Sequence, residues 1–281
     1  VYSASAAIHM IDASQKPVSS VSTYRSSMNI MVRTQLQDKV VLITGANHGI
    51  GAATAKAFAA EGAVVAVHFL EASPAETDGT YTILHAVKGR TAAEELVTHI
   101  LERGGRAMAV EGDLSDPTAI PALFDRVEKV YGRVDVLVNN AAHCEDPDTI
   151  FSISPGTIER TFAVNTRATV LMMAEFVRRY QERRGSWGRI INLSTDAAQT
   201  FAGQIAYGAS KAAIEAFTRS VAIEVGPLGI TVNTVAPGPV QTGWMTTERE
   251  EEERQLIPLK RVGQPEDCLL YTSPSPRDRT R

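Results

Sequence analysis

Tyr207 and Lys211 stand four residues apart in Tyr207-Gly208-Ala209-Ser210-Lys211, inside a helical pattern. Positions i and i+4 share one helix face, so a phenol and an ammonium reach one small volume. A free tyrosine has a pKa of about 10 and is a poor acid or base at neutral pH. A fixed positive charge beside it favours the phenolate, which makes proton exchange with an alcohol or ketone feasible. An isolated Y-x-x-x-K is most often a surface tyrosine and a solvated lysine. The rest of the chain argues otherwise.

A second constellation is rich in glycine. Val41-Leu42-Ile43-Thr44-Gly45-Ala46-Asn47-His48-Gly49-Ile50-Gly51 joins an apolar run to a helical stretch. Glycines admit backbone geometry and close approach that side chains block. The helix N-terminus that follows offers N–H groups and a positive dipole end to a pyrophosphate. The spacing is G-x-x-x-G-x-G, not the commoner G-x-G-x-x-G.

Elements must hold these residues in place. From Lys39 the chain alternates short apolar runs with amphipathic stretches. The runs Val40–Thr44, Ala63–Phe69, Arg106–Glu111, Val134–Asn139, Arg189–Leu193 and Thr231–Ala236 read as buried parallel strands. Helices are predicted over Ala52–Glu61, Ala92–Arg103, Ile120–Tyr131, Pro155–Arg183 and Ala209–Val225. Right-handed crossovers then give an α/β fold, a single doubly wound parallel sheet with helices on both faces. Ligands in such a fold sit beyond the carboxyl ends of the strands, where nearly every motif falls.

The 281 residues are 44% hydrophobic and 21% charged, an ordinary globular composition. A net charge of −4 gives no basic footprint for nucleic acid or an anionic membrane. Cys144 and Cys268 make neither a disulfide framework nor metal spacing, and a reducing, cytoplasmic setting is expected. The six histidines are scattered, so no metal is expected.

With these motifs in order, the chain resembles the classical short-chain dehydrogenase/reductase family over roughly residues 37–267, and within it 3-oxoacyl-[acyl-carrier-protein] reductase-like members. The resemblance rests on Thr44–Gly51, Asp113, Asn139-Asn140-Ala141, Asn165, Tyr207/Lys211 and Pro237-Gly238-x-x-x-Thr242. It implies hydride transfer between a nicotinamide cofactor and a ketone or secondary alcohol, with Tyr207 as acid/base. Lys211 would bind the nicotinamide ribose and lower the Tyr207 pKa, and Asn165 would hold a water linking Lys211 to solvent.

The resemblance also implies the cofactor contacts. Gly45, Asn47, His48, Gly49, Ile50 and Gly51 would line the adenosine ribose and pyrophosphate. Asp113 beside Leu114 would meet the adenine, although alone Asp113 reads as a cap for the next helix. Asn140 and Ala141 would pass beneath the ribose, with Ala142 where the family usually has glycine. Pro237, Gly238 and Thr242 would hold the nicotinamide end. The substrate-orienting hydroxyl has two candidates. Ser194 lies thirteen residues before Tyr207, the family's usual separation; strand register instead selects Thr195.

NADP(H) is favoured over NAD(H), because His68-Phe69-Leu70 carries no acid where one would bind the ribose 2′-OH. His48 sits where NADP-preferring relatives often carry Arg or Lys, while Glu71 keeps NAD(H) open. Residues 71–91 form an insertion, and Lys88 or Arg90 would meet a 2′-phosphate if it folded over the adenine end. The run Glu248, Glu250–Glu253 reads as a solvated helix, and the resemblance implies a mobile lid over the substrate there. Intact relatives are commonly homo-oligomers, tetramers or dimers.

Both ends look foreign to this fold. Residues 1–36 read as a disordered or non-native extension, either a cleaved targeting segment or translation upstream of a start at Met28 or Met31. Residues 268–281 resemble translated sequencing-adapter DNA, so a last helix and strand are expected to be missing. Two other readings stand beside the enzyme: a catalytically silent nucleotide-binding scaffold, and an inactive truncated fragment.

Overall fold

A parallel strand covered on both faces needs apolar side chains at every position, and β1 (Val40–Ile43) is buried throughout. The computed structural model describes residues 34–72, 89–199, 202–243 and 245–269. The chain falls into two units, Val1–Thr34 and Gln35–Arg281, and every element below belongs to the second.

β1 is followed by β2 (Val64–Phe69), β3 (Arg106–Glu111), β4 (Val136–Asn139), β5 (Gly188–Leu193) and β6 (Ile230–Val235). They form one sheet in the order β3-β2-β1-β4-β5-β6, and every pairing is parallel. Side chains alternate across it. Val40 and Leu42 join one core with Leu123, Phe124, Met172 and Phe176. Val41 and Ile43 join the other with Ala55, Phe58, Leu96 and Ile100.

The first core is covered by α3 (Ala119–Tyr131), α5 (Thr169–Glu182) and α6 (Ile205–Val225), which follow α4 (Pro155–Phe162) in the case of the last two. The second is covered by α1 (Gly49–Ala60) and α2 (Gly89–Glu102). A charged helix, α7 (Thr247–Leu256), buries no residue. The fold is the doubly wound α/β sheet, with its strand order reversing between β1 and β4, where such sheets open a crevice.

The predicted single helix over Pro155–Arg183 is three pieces. Between α4 and α5 the turn Ala163–Ala168 is π-helical. Its buried Asn165 bonds to His143 of the strap between β4 and α4 (residues 140–154) and to Ser210 of α6, tertiary contacts that periodicity does not reveal. α1, α2 and α6 begin three or four residues before the predicted Ala52, Ala92 and Ala209. Pro265–Cys268 forms a short 3₁₀ turn, with Gln264 and Asp267 in a capping box. The termini 1–33 and 270–281, and residues 73–88 of the insertion, lie outside the described residues.

A polar seam ties the carboxyl ends of β4 and β5 to α6. The Asn139 amide donates to Asn192 Oδ1 at 2.8 Å, and the Asn192 amide donates to Thr218 Oγ1 at 2.8 Å. Asn192 is fully buried. Asn192→Ala leaves the Asn139 donor without its acceptor and opens a gap, so about 2–5 kcal/mol of stability is expected to be lost. Urea unfolding should show a lower midpoint at unchanged slope.

Candidate active site

β1 ends at Ile43, and the turn that follows is fixed by hydrogen bonds across the crevice. Thr44 Oγ1 accepts the N–H groups of Asn140 and Ala141 at 2.9 and 3.0 Å. The Asn140 amide returns two bonds, to Thr44 O at 2.9 Å and Gly45 O at 2.8 Å. Gly45 and Gly49 take φ of +58° and +54°, and a Cβ on Gly45 would sit 2.9 Å from Ala141 Cα. A Cβ on Gly51 would meet Gly45 O at 2.5 Å. The turn therefore holds glycine for close packing as well as for backbone freedom.

His68 closes the other side. Its Nδ1 accepts the Gly45 N–H at 3.1 Å, which leaves the proton on Nε2 to donate to Gly112 O at 3.0 Å. The imidazole is thus a strut between the turns after β1 and β3. Burial brings its pKa down to about 4, with Arg126 pushing the same way against the Gly112 carbonyl and Asp113. The sequence marked His68 for its failure to be an acid and missed this bridging role.

Asp113 accepts the Ser115 N–H and hydroxyl, both at 2.8 Å, a local turn leading toward α3. Its carboxylate is engaged in that turn while its residue lines the cleft. Glu71 Oε2 accepts the Arg90 N–H at 2.5 Å at the start of α2. The Arg90 guanidinium pairs with Glu111 and lies 5.3 Å from the Phe69 ring centroid. Arg90, expected to meet a 2′-phosphate, pairs with Glu111 in this structure. Lys88 lies outside the described residues.

On α6, Lys211 is buried and its Nζ lies 5.7 Å from the Tyr207 ring centroid. The ammonium donates to Leu193 O at 2.8 Å. Burial lowers the lysine to about 8, while Cys144 opposes the shift. The Tyr207 phenol is raised above its ordinary value, chiefly by burial, with Cys144 and Asp196 adding to it. The expected lowering by Lys211 is therefore overridden in this protein structure: desolvation outweighs an ammonium turned toward a carbonyl.

Strand alternation separates the two candidate hydroxyls. Asn192 and Ser194 both turn to α6, where Ser194 Oγ donates to Glu215 Oε1 at 2.8 Å. Ser194 is buried; Thr195 continues in extended backbone and is partly exposed. Thr195 Oγ1 accepts the Ala197 N–H at 3.2 Å and donates to Asp196 Oδ1 at 3.2 Å.

Asn165 Oδ1 accepts the His143 N–H at 2.7 Å, and its Nδ2 donates to His143 O and Ser210 Oγ, both at 2.9 Å. Both amide protons are engaged by protein, so the side chain clamps a strap instead of donating to a water. In the same strap Glu145 accepts from Arg160 Nε at 2.6 Å and from Thr157, and pairs with His143 Nε2 at 2.9 Å. These bonds, Arg160 first, hold its carboxyl down to about 2.

The strand ends enclose a cleft of about 970 Å³. Every predicted site residue lines it except Gly51, which lies behind the turn, and Asn165. Pro237 O accepts the Asp196 N–H at 3.1 Å, and Thr242 packs over Gly49, whose added Cβ would meet it at 3.0 Å. Gly238 passes beside Asp196. Gln241 Nε2 donates to Glu250 Oε2 of α7 at 2.7 Å, which brings that helix to the same wall.

The family model for short chain dehydrogenases matches residues 39–253. The chain belongs to the short-chain dehydrogenase/reductase family. It is similar to the uncharacterized oxidoreductase YjdA of Bacillus subtilis, 35% identical over 83% of this chain and 87% of the relative. It is also 34% identical to a 3-oxoacyl-[acyl-carrier-protein] reductase of Synechocystis, covering 86% of this chain and 92% of that one. A short chain dehydrogenase from Burkholderia cenocepacia, solved in complex with NADP, superimposes with a TM-score of 0.70 at 31% identity, over 83% of this chain and 88% of the other.

This short-chain dehydrogenase is thereby an NAD(P)-dependent oxidoreductase, and the cleft fits a dinucleotide. α1 carries no acid in its first turn and no side-chain cap from His48, so its N-terminal N–H groups and dipole face the cleft unneutralised. The glycine turn brings backbone to that end without side chains between. Among the described residues, no cluster of His, Cys, Asp and Glu has the arrangement of a metal site. No helix among them is long and apolar enough to cross a membrane.

His68 gives a measurable signature. Its folded pKa lies below its unfolded value of about 6.5, so its stabilisation is complete above pH 6.5 and is lost progressively as pH falls to about 4. The expected loss is on the order of 3 kcal/mol, at 1.36 kcal/mol per unit. Glu145, held low, yields its contribution only as pH falls from about 4.5 toward 2. Unfolding measured between pH 7 and 4 should show this decline in the native protein and a flatter profile in His68→Gln.

Proposed function

We propose that this chain reduces a ketone to a secondary alcohol with NADP(H), and runs the reverse oxidation, with Tyr207 as general acid/base. The observation that carries this is a half-buried Tyr207 beside a buried Lys211, whose Nζ lies 5.7 Å from the Tyr207 ring centroid, in the cleft that the glycine turn opens. Bound cofactor supplies the hydride at its nicotinamide ring. Tyr207 gives its phenolic proton to the substrate oxygen as the alcohol forms. The raised phenol pKa keeps that proton in place at neutral pH, which suits reduction. Lys211 stabilises the phenolate left behind and would hold the nicotinamide ribose of the bound cofactor.

Thr195 is the hydroxyl that orients the carbonyl. Both hydroxyls line the cleft, but Ser194 is committed to Glu215 of α6, whereas Thr195 alternates to the other side of the chain. NADP(H) is supported by Leu70 lining the cleft where an acid would repel a 2′-phosphate, and by Glu71 capping α2 through Arg90. The NADP in the Burkholderia cenocepacia structure supports the same choice. Exposed Leu171 on α5 and Phe217 on α6 support a homo-oligomer built on those helices, and two free cysteines suit the cytoplasm.

Tyr207→Phe is expected to cut kcat for carbonyl reduction at least about 100-fold with NADPH affinity kept. Thr195→Val should lower kcat about 100-fold, and Ser194→Ala far less. Steady-state rates across a panel of ketones and aldehydes, beside NADPH titration, check both. An active Tyr207→Phe enzyme sinks the assignment.

Lys211 sets a second limb. Its ammonium is present below about pH 8 and lost above it, so kcat/KM for NADPH should hold below pH 8 and fall above. Lys211→Met should be slow and show no such break.

A further inference from the structure

We propose that Asp148 is the positioning residue for Tyr207, a role that rests on the acid/base reading above. Asp148 is fully buried at 1% exposure. Its two carboxylate oxygens divide two N–H groups of the first turn of α6: Oδ1 accepts from Ala206 at 3.0 Å and Oδ2 from Tyr207 itself at 2.9 Å. Its backbone carbonyl accepts the Ile205 N–H at 3.1 Å, and it forms a parallel bridge with Gln204. Three consecutive N–H groups at the head of the helix thus end on one residue.

The helix cannot cap itself. Gln204, at its N-cap, makes no side-chain cap bond, and the first turn holds no acid. A carboxylate supplied from 59 residues away satisfies the open donors and sits at the positive end of the dipole. The strap that carries it is stitched to α6 a second time. Asn165 grips both backbone groups of His143 and donates to Ser210 Oγ, which donates to Tyr207 O at 2.7 Å.

Tyr207 is therefore held at its N–H by Asp148 and at its C=O by Ser210. His143 to Asp146 of the strap line the cleft opposite it. The distance from the phenol to the substrate wall is fixed by these bonds, and Asp148 is the one charged member. Proton transfer is sensitive to such placement, since a shift of about 1 Å costs about 100-fold. Nucleotide binding at the turn after β1 does not pass through Asp148.

The test compares wild type, Asp148→Asn, Asp148→Ala and Tyr207→Phe, with NADPH-binding sites counted by fluorescence titration well below each Tm. The expected result is a kcat per binding site lower by tenfold or more in Asp148→Ala, a smaller drop in Asp148→Asn, and NADPH Kd within about twofold in both. Asp148→Asn keeps the size and one acceptor oxygen, so it carries the comparison if the alanine variant does not fold. A kcat per site equal to wild type in the Asp148 variants, with only Tm lowered, overturns the proposal and leaves a structural cap. Equal rates in wild type and Tyr207→Phe overturn the acid/base reading, and this proposal falls with it.

Discussion

The crevice between β1 and β4 exists because neighbouring strands leave the sheet in opposite directions there, and one hydroxyl keeps its rim closed. Thr44 Oγ1 holds two N–H groups of the loop after β4, and Asn140 returns two bonds to the turn after β1. An unpaired buried N–H costs about 1–3 kcal/mol, so neither loop can drift without losing several such bonds at once. Everything downstream inherits this geometry. The α1 N-terminus, the His68 strut and the Thr242 wall are all placed relative to that rim.

Burial then decides the chemistry. The same desolvation that makes Lys211 easier to deprotonate makes Tyr207 harder to ionise. The pair is tuned by exclusion of water more than by mutual attraction, because the ammonium is turned to Leu193 O.

The sheet was legible in the sequence because runs such as Val40–Ile43 and Val64–Phe69 are apolar at every position. The six strands fall within two residues of the runs read for them, and the motifs at their ends lie around one cleft. What stayed hidden was long-range. The head of α6 is completed by Asp148, and α5 is parted from α4 by a tertiary grip on Asn165. His68 was visible as a residue and invisible as a strut, since its partners Gly45 and Gly112 lie 23 and 44 residues away. Thirteen-residue spacing pointed to Ser194 and strand register to Thr195; both line the cleft, and the Ser194 bond to Glu215, 21 residues on, was visible to neither count.

The π turn at Ala163–Ala168 has a meaning beyond the bond it frees. One residue of helix is about 100° of rotation, so a turn that holds an extra residue is a phase shift between two otherwise continuous helices. Upstream of it Thr157 and Thr161 are buried; downstream Met172, Met173 and Phe176 face the sheet. Remove one residue from the turn and the two faces fall out of step: either Thr157 swings from Glu145 or the methionines leave the core. The turn therefore acts as an indel lock, a stretch whose length is fixed by the packing on either side of it.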